Sequence, residues 1–478
     1  MRLATIEGID QDGTVLVVSG EGERPEEAVL DGPRASVSAR LTGRGRTWKA
    51  RFPLRAARWG GALLPLPSGE YRIRIPGVRV TGSVPMLLTD HLRVAVAGDA
   101  VTVGPPRDPS LESAEARAAL ERRYAAHTSP LENAAFFESF YGRVAGDNPL
   151  AIDRELARVA PGVVRYWSVV DLSVEVPDGA IAVVEGTAAW WRARSVARLL
   201  VVNDWLRRTY ARRAGQRVLQ TWHGTPLKRL ALHRPGWQPR RWGAVLKESR
   251  RWDVLLAQNP YAARTLTRAY AFFRRPVWVE GYPRNDALVA GDGGATRRAL
   301  GIGAEERVLL YAPTWRDDRE RMVDFVDPAR LAEQTGSVVL VRGHSRTLLP
   351  GESASGPRVI DVTGFADASR VMLAADALIT DYSSVMFDFS VTGRPMYFLV
   401  PDLEHFRGDL RGFYFDLAER APGPLVTSQD ALVEALEADP AEFGERYRAW
   451  RRRFNARDDG RAAERVVARI LDQRLLER

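Results

Sequence analysis

The sequence predicts an α/β fold: two doubly wound parallel-sheet domains facing a cleft, preceded by a small β-rich domain. Three observations carry this. The opening residues alternate apolar and polar side chains in short runs such as "TVLVVSG", "TWKARFPL" and "EYRIRIPG", punctuated by Gly, Pro and Asp. From about residue 131, continuous apolar runs alternate with helical patterns, as parallel strands covered by helices do. These runs form two sets, separated by the Gly-rich loop "AGDGGATRR". The expected domains are residues 1–105, 106–290 and 291–478.

Each element follows from its local pattern. "ASVSARLTG" and "LRVAVAG" complete the β-rich part, whose Arg-bearing surface reads first as a solvated sheet face and second as a polymer-binding one. "GPPRDPS" breaks that pattern, and "LESAEARAALERRYAAH" has the periodicity and acidic start of a connecting helix. In the first α/β set, "AAFFESF", "RYWSVV", "AIAVVEG", "RVLQTWH", "WDVLLAQ" and "PVWVEGYP" read as strands. "PLAIDRELARVA" and "AAWWRARSVARLL" read as helices between them. The second set holds the strands "RVLLYAPT", "SVVLVRGH", "RVIDVTG", "ALITDYS" and "PMYFLVPD", and the chain closes on the amphipathic helix "RAAERVVARILDQRLLER".

Composition narrows the chemistry. Cysteine is absent, which excludes disulfides, thiolate metal sites and cysteine nucleophiles. The excess of 69 Lys and Arg over 60 Asp and Glu favours anionic partners, although arginine-rich codon usage alone produces the same excess. The opening residues hold no apolar run suited to a signal peptide, and no segment reaches the ~18 apolar residues of a membrane span. A soluble or peripheral cytoplasmic protein is expected.

In open α/β sheets, ligands bind beyond the carboxyl ends of the strands. Residues just after each predicted strand are therefore the candidates: His223, Arg284, Arg316, His344 with Arg346, and Thr380, Asp381, Ser383 and Ser384. The two strand-end histidines fall one in each sheet. "ITDYSSVMFDF" pairs two hydroxyls with a helix start, which suits phosphate, although an Asp or Ser helix cap has the same signature. Asp388, in the same helix, is expected only to orient its first turn. Lys228 reads as an exposed lysine before it reads as a charge stabiliser.

No P-loop, dinucleotide fingerprint or zinc motif is present, and Asp317 and Asp318 lie among arginines that suit ion pairing better than Mg²⁺. No metal site and no cofactor are expected. The stretch 233–253, "HRPGWQPRRWGAVLKESRRWD", interleaves Trp with basic residues. It suits a membrane surface or inward packing equally, and nucleic acid poorly, since no nucleic-acid-binding signature accompanies it.

Taken in order, "QTWHGTPLKRL", "EGYPRND", "LYAPTWRDD", "VLVRGHSR", "LITDYSSVMFDFSVTGRPMYFLVPDLEHF" and "RGFYFD" resemble the CDP-glycerol glycerophosphotransferase family of teichoic acid and capsule synthesis. "FESFYGRVAGDNPLAI" resembles the start of that family's first Rossmann-like domain, and the likeness runs over roughly residues 131–460. Gly343 before His344, and "FYGR", depart from the family's usual pattern. The resemblance implies a GT-B-like fold and a CDP-alditol donor, a polyprenyl-linked or polymer acceptor, and peripheral attachment to the inner face of the cell membrane. It also implies that His223 and His344 are catalytic, and that Thr380, Asp381, Ser383 and Ser384 line the donor diphosphate.

Imidazole, with a reference pKa of ~6.5, suits deprotonation of an attacking hydroxyl, so His223 is expected to act as general base. Cations and dipoles from His344, Arg346, Ser383 and Ser384 would stabilise the leaving CMP, with Arg316 and Arg284 as further phosphate contacts. Two other functions fit the same architecture: a GT-B glycosyltransferase using a nucleotide sugar, and a non-enzymatic binder of anionic envelope polymer.

Overall fold

The computed structural model describes residues 2–44, 46–206, 212–236, 238–314, 325–343, 356–410 and 412–478. The chain forms two compact units. The first comprises Met1–Pro130, Phe140–Ala145 and Arg165–Val196; the second comprises Leu131–Ser139, Gly146–Val164 and Ala197–Arg478.

The first unit is dominated by a sandwich of two sheets. One has the strand order Val78–Thr81, Arg2–Ile9, Val15–Glu21, Thr47–Pro53, Arg40–Arg44; the other has Ser83–Leu88, Arg93–Ala97, Ala100–Gly104, Gly69–Arg74, Val29–Asp31, Ser36–Ser38. Strict alternation sets the two faces. In Thr47–Pro53, Trp48, Ala50 and Phe52 point inward while Thr47, Lys49 and Arg51 stay exposed. Leu16, Val18, Trp48 and Phe52 from one sheet meet Leu30, Tyr71, Val94 and Val101 from the other in a single core. Arg2–Ile9 is a strand that sequence reading missed; its exposed Leu3 and buried Ala4 invert the expected polarity. The same unit holds the connecting helix Ala114–Ala125 and a parallel pairing of Tyr166–Val169 with Ile181–Val184.

The second unit carries parallel strands in two sets. Glu132–Glu138, Ala197–Val202, Arg217–Gln220, Val254–Ala257 and Val277–Val279 lie side by side in chain order. One expectation is corrected here. "AAWWRARSVARLL" is helical only over Ala188–Val196; from Ala197 the chain is a buried central strand. No Gly or Pro separates the two elements, and the aliphatic run that follows satisfies either pattern until its burial on both faces decides for a strand.

The other sheet has the order Val359–Asp361, Val338–Val341, Val308–Ala312, Ala377–Thr380, Met396–Leu399, Leu425–Val426, all parallel. Numbered along the chain this order is 3-2-1-4-5-6, the doubly wound arrangement that reverses between its first and fourth strands. Ligands bind at such a reversal, which here lies beyond Ala312 and Thr380. The Gly-rich stretch expected as a loop is shorter than predicted, because Gly294–Ala299 is helical.

Candidate active site

Three features place His223. The strand Arg217–Gln220 is buried over its last three residues and ends at Gln220, whose side chain folds back. Its Oε1 accepts from the Trp222 backbone N–H at 2.9 Å and its Nε2 donates to the Asp204 carbonyl at 2.9 Å. Trp222 then takes a left-handed backbone conformation, φ 54°, which reverses the chain. Its ring is fixed by edge contact with Tyr270 at 5.1 Å between centroids and stacks on the His223 imidazole at 4.7 Å and 22°.

The half-buried His223 has its Nδ1 2.6 Å from the Asn203 carbonyl oxygen. A carbonyl oxygen can only accept, so Nδ1 carries a proton, and in the neutral ring the lone pair lies on Nε2. The ring is thereby held in the tautomer of a base.

The residues on either side of His223 anchor the loop. Asn148 donates from Nδ2 to the Thr221 and Trp222 carbonyls at 3.4 and 3.2 Å, and its Oδ1 accepts from the Arg284 N–H at 3.3 Å. Thr225 donates to Gln258 Oε1 at 2.5 Å and accepts from Asn259 Nδ2 at 3.1 Å. Gln258 Nε2 in turn donates to the Asp458 carboxylate at 2.8 Å. Between these anchors, Gly224 comes so close to Ser384 that a Cβ placed on it would lie 2.6 Å from Oγ. The structure therefore brings the His223 loop against the "TDYSS" segment.

That segment begins at the sheet reversal. Thr380 is buried and donates from Oγ1 to the Ala312 carbonyl at 2.7 Å, joining the two strand ends. The Asp381 carboxylate accepts from the Thr314 N–H at 2.9 and 3.0 Å and from the Tyr382 N–H at 2.5 Å. Both side chains thus point into the fold and shape the loop. Ser383 Oγ accepts from the Val385 N–H at 3.4 Å, and the Ser384 hydroxyl makes no capping bond to the short helix Val385–Phe389.

Arg284 is placed differently from the phosphate contact expected of it. Its guanidinium is buried, bridging Asp147 Oδ2 at 2.6 Å and Asp388 Oδ2 at 2.7 Å. These two carboxylates hold it protonated against the opposing effect of burial. Burial also pushes the Asp388 carboxyl up, and the Arg284 charge opposes it. Asp388, expected only to steady its own helix, is one half of this clamp. Lys228 is half-buried rather than exposed, with Nζ 5.9 Å from the centroid of the Phe406 ring and its backbone paired with Phe413.

Arg316, His344 and Arg346 lie outside the described residues, as do Asp317 and Asp318. The strand end that leads to His344 is nevertheless anchored. Arg342, half-buried and pushed down to about 10 by desolvation, donates from Nη1 to the Val362 and Phe365 carbonyls at 3.0 and 2.9 Å.

Sequence reading missed Asn148, Gln258, Asp458 and the Asn203 carbonyl. The first three stand beside other polar residues, Asp147, Asn259 and Asp459, so nothing in the local pattern singles them out, and the fourth is a backbone atom that any residue supplies. In the segment 233–253, Trp252 is fully buried and Trp242 is 39% exposed, while Trp237 lies outside the described residues. Among the described residues, no group of three or more His, Cys, Asp or Glu could hold a metal ion, and no helix is long and apolar enough to cross a membrane.

The family model and the curated relatives point to one family. Residues 122–472 match the family described as CDP-glycerol:poly(glycerophosphate) glycerophosphotransferase. The chain is 35% identical over 359 residues to the teichoic acid poly(glycerol phosphate) polymerase of Bacillus subtilis (strain 168), covering 69% of this chain and 48% of that protein. It thus spans about half the length of that relative. It is 34% identical over 378 residues to the teichoic acid glycerol-phosphate transferase of Staphylococcus aureus, covering 71% of this chain and 93% of that protein. The structure of the wall teichoic acid polymerase TagF superposes with a TM-score of 0.68 at 30% identity, over 75% of this chain and 94% of that one. The fold is accordingly α/β and GT-B-like, with a β-rich N-terminal part, and the chain belongs to the CDP-glycerol:poly(glycerophosphate) glycerophosphotransferase family of transferases.

Proposed function

We propose that the chain transfers an alditol phosphate, with glycerol phosphate the first choice, from a CDP-alditol to a hydroxyl of a lipid-linked teichoic acid or capsule-type acceptor. The observation that carries this reading is the 2.6 Å bond from His223 Nδ1 to the Asn203 carbonyl, on a loop that Gly224 seats against Ser384. It gives a base with its lone pair on Nε2, next to the strand ends where a doubly wound sheet binds nucleotides. The relatives named for glycerol phosphate support the donor class.

In this reading residues 106–290 form the acceptor side and residues 291–478 the donor side. The acceptor hydroxyl loses its proton to His223 Nε2 as its oxygen bonds to the phosphorus that carries the alditol. The bond from that phosphorus to the oxygen of CMP breaks, and CMP leaves with the electron pair. The Ser383 and Ser384 hydroxyls contact the diphosphate, and Thr380 and Asp381 hold their loop in place. His344, Arg346 and Arg316 complete the charge stabilisation. The buried Arg284 fixes the site instead of touching phosphate.

The acceptor's lipid places the reaction at the cytoplasmic face of the membrane. The helix Pro239–Ser249 supports this by exposing Arg240, Trp242 and Lys247.

The test is a donor panel. The purified protein is incubated with CDP-glycerol, CDP-ribitol and UDP-sugars, each with a lipid-linked acceptor analogue, and the released nucleotide is identified. Acceptor-dependent CMP release is expected, faster from CDP-glycerol. UDP release without CMP would decide for a glycosyltransferase, and polymer binding with no turnover of any donor would decide for a binding protein.

A further inference from the structure

The N-terminal sandwich lies before the stretch that matches the family, which starts at residue 122. Its first sheet carries a feature that a merely solvated face does not need. On the ladder joining Arg40–Arg44 to Thr47–Pro53, Arg40 stands directly opposite Arg51, Thr42 opposite Lys49 and Arg44 opposite Thr47. All of these side chains are exposed.

Like charges directly opposite one another in an antiparallel pair are destabilising, and an acidic partner at either position would remove the conflict. Arg40, Arg44 and Arg51 make no ion pair among the described residues, although the Arg51 charge reaches the Glu7 and Asp10 carboxylates through space. Lys49 does have one, Glu7 at 2.8 Å. Edge protection accounts for charge on the outer strand Arg40–Arg44, but not for Arg51, which lies one strand further in.

The face is also concave. It borders a depression of about 1160 Å³ whose lining includes Ser19, Thr42, Arg44, Thr47 and Lys49, with Arg40 and Arg51 just outside that lining on the same ladder. Hydroxyls and charges of both signs line it, Arg2, Glu7 and Glu21 among them, beside the exposed apolar Leu3. No aromatic ring is presented, because Trp48 faces the sandwich core and is 2% exposed.

We infer that this face binds a linear polyol-phosphate chain. Guanidinium groups would take successive phosphates, and the threonine and serine hydroxyls and the two carboxylates would exchange hydrogen bonds with the polyol hydroxyls. Outward side chains recur roughly every 7 Å along a strand. The six bonds from phosphorus to phosphorus in a glycerol phosphate chain reach about as far, so Arg51 and Lys49 match one unit of the chain and Arg40 and Arg44 match two. Single-stranded nucleic acid is the other polyanion to consider, and its binding relies on aromatic stacking that this face lacks. The identity of the chain rests on the proposed transfer; the existence of the site does not.

The test uses the full-length protein and an Arg40→Glu/Arg51→Glu variant. Each is titrated with a fluorescent poly(glycerol phosphate) oligomer, and with a single-stranded DNA of equal charge, at two salt concentrations. The charge-reversed variant should bind the oligomer at least tenfold more weakly. Its melting temperature, and CMP release with a short acceptor, should be unchanged. An Arg40→Gln/Arg51→Gln variant gives the same reading if the reversed one fails to fold. A Ser19→Val/Thr42→Val variant should weaken the oligomer several-fold at unchanged charge. Unaltered oligomer binding in the arginine variants overturns the site, and DNA binding as tight as the oligomer's overturns the ligand class. Oligomer binding without CMP release from the parent protein would sink the transfer reading and leave this site standing.

Discussion

His223 and Asp458 are both fixed by hydrogen bonds, and those bonds give them opposite kinds of work. His223 has one ring nitrogen committed to a carbonyl, which prepares the other to accept a proton. His223→Ala should therefore lower the rate of CMP release by a factor of roughly 10²–10⁴, the range associated with a positioned general base. Melting temperature and CDP-glycerol binding should stay near those of the parent. Transfer at the parental rate would remove His223 from the chemistry.

Asp458 is 8% exposed and accepts from Gln258, Asn455, the Tyr282 N–H and Asn285 at 2.8 to 3.3 Å. Burial pushes its carboxyl up to about 6 from an ordinary 3.8, and the N–H donors resist a larger rise. The nearby Asp388 charge adds to the rise, and Arg284 lies between that charge and Asp147. Between those two pH values the folded chain holds a proton that the unfolded chain has released. The stabilisation this brings is complete below about 4 and is lost as pH rises through about 6, and it amounts to roughly 2–3 kcal/mol. Asp458→Asn cannot titrate, so the melting temperature of the parent minus that of the variant should fall between pH 4 and pH 6 and level off above that. A difference that stays flat would show that Asp458 keeps its ordinary acidity in the fold.

At the scale of elements, one glycine decides how the two strand-end loops meet. Gly224 has an ordinary backbone; it is required for space, because a Cβ there would crowd both Oγ and Cβ of Ser384. Gly224→Ala should destabilise the protein by about 1–3 kcal/mol, as overpacking of a close contact does. Adding Ser384→Gly should recover part of that loss, and a melting-temperature cycle over the two positions measures the coupling. Strictly additive losses would mean that the loops do not press on one another. This contact also marks where sequence reading stops. The strands of both parallel sets were legible because β-branched and aliphatic runs such as "VVLV" and "ALIT" suit buried parallel strands. The carboxyl-end rule then pointed to His223 and to residues 380–384. The anchors under those loops were not legible, since Asn148, Gln258 and Asp458 are separated by more than a hundred residues in sequence, and only the fold makes them neighbours. Arg284 was legible only in part: its strand-end position suggested phosphate, and the fold adds the two carboxylates, Asp147 and Asp388, that bridge its guanidinium.

At the scale of the whole molecule, the proposed transfer assigns donor binding and acceptor activation to different sheets of the second unit. The 3-2-1-4-5-6 sheet offers its reversal beyond Ala312 and Thr380, and His223 comes from the other parallel set. Binding and chemistry should therefore separate experimentally. A ligand that binds only the folded chain stabilises it by RT ln(1 + [L]/Kd), about 2.7 kcal/mol at a hundredfold excess over Kd. CDP-glycerol should raise the melting temperature of the parent protein, and CMP should raise it less. The same rise should appear in His223→Ala, which loses transfer but keeps the donor-side sheet intact. Ser383→Ala/Ser384→Ala should lose most of the rise while leaving the melting temperature without ligand close to the parent's. If His223→Ala abolished the shift and the serine variant kept it, the donor and acceptor sides would have to be exchanged.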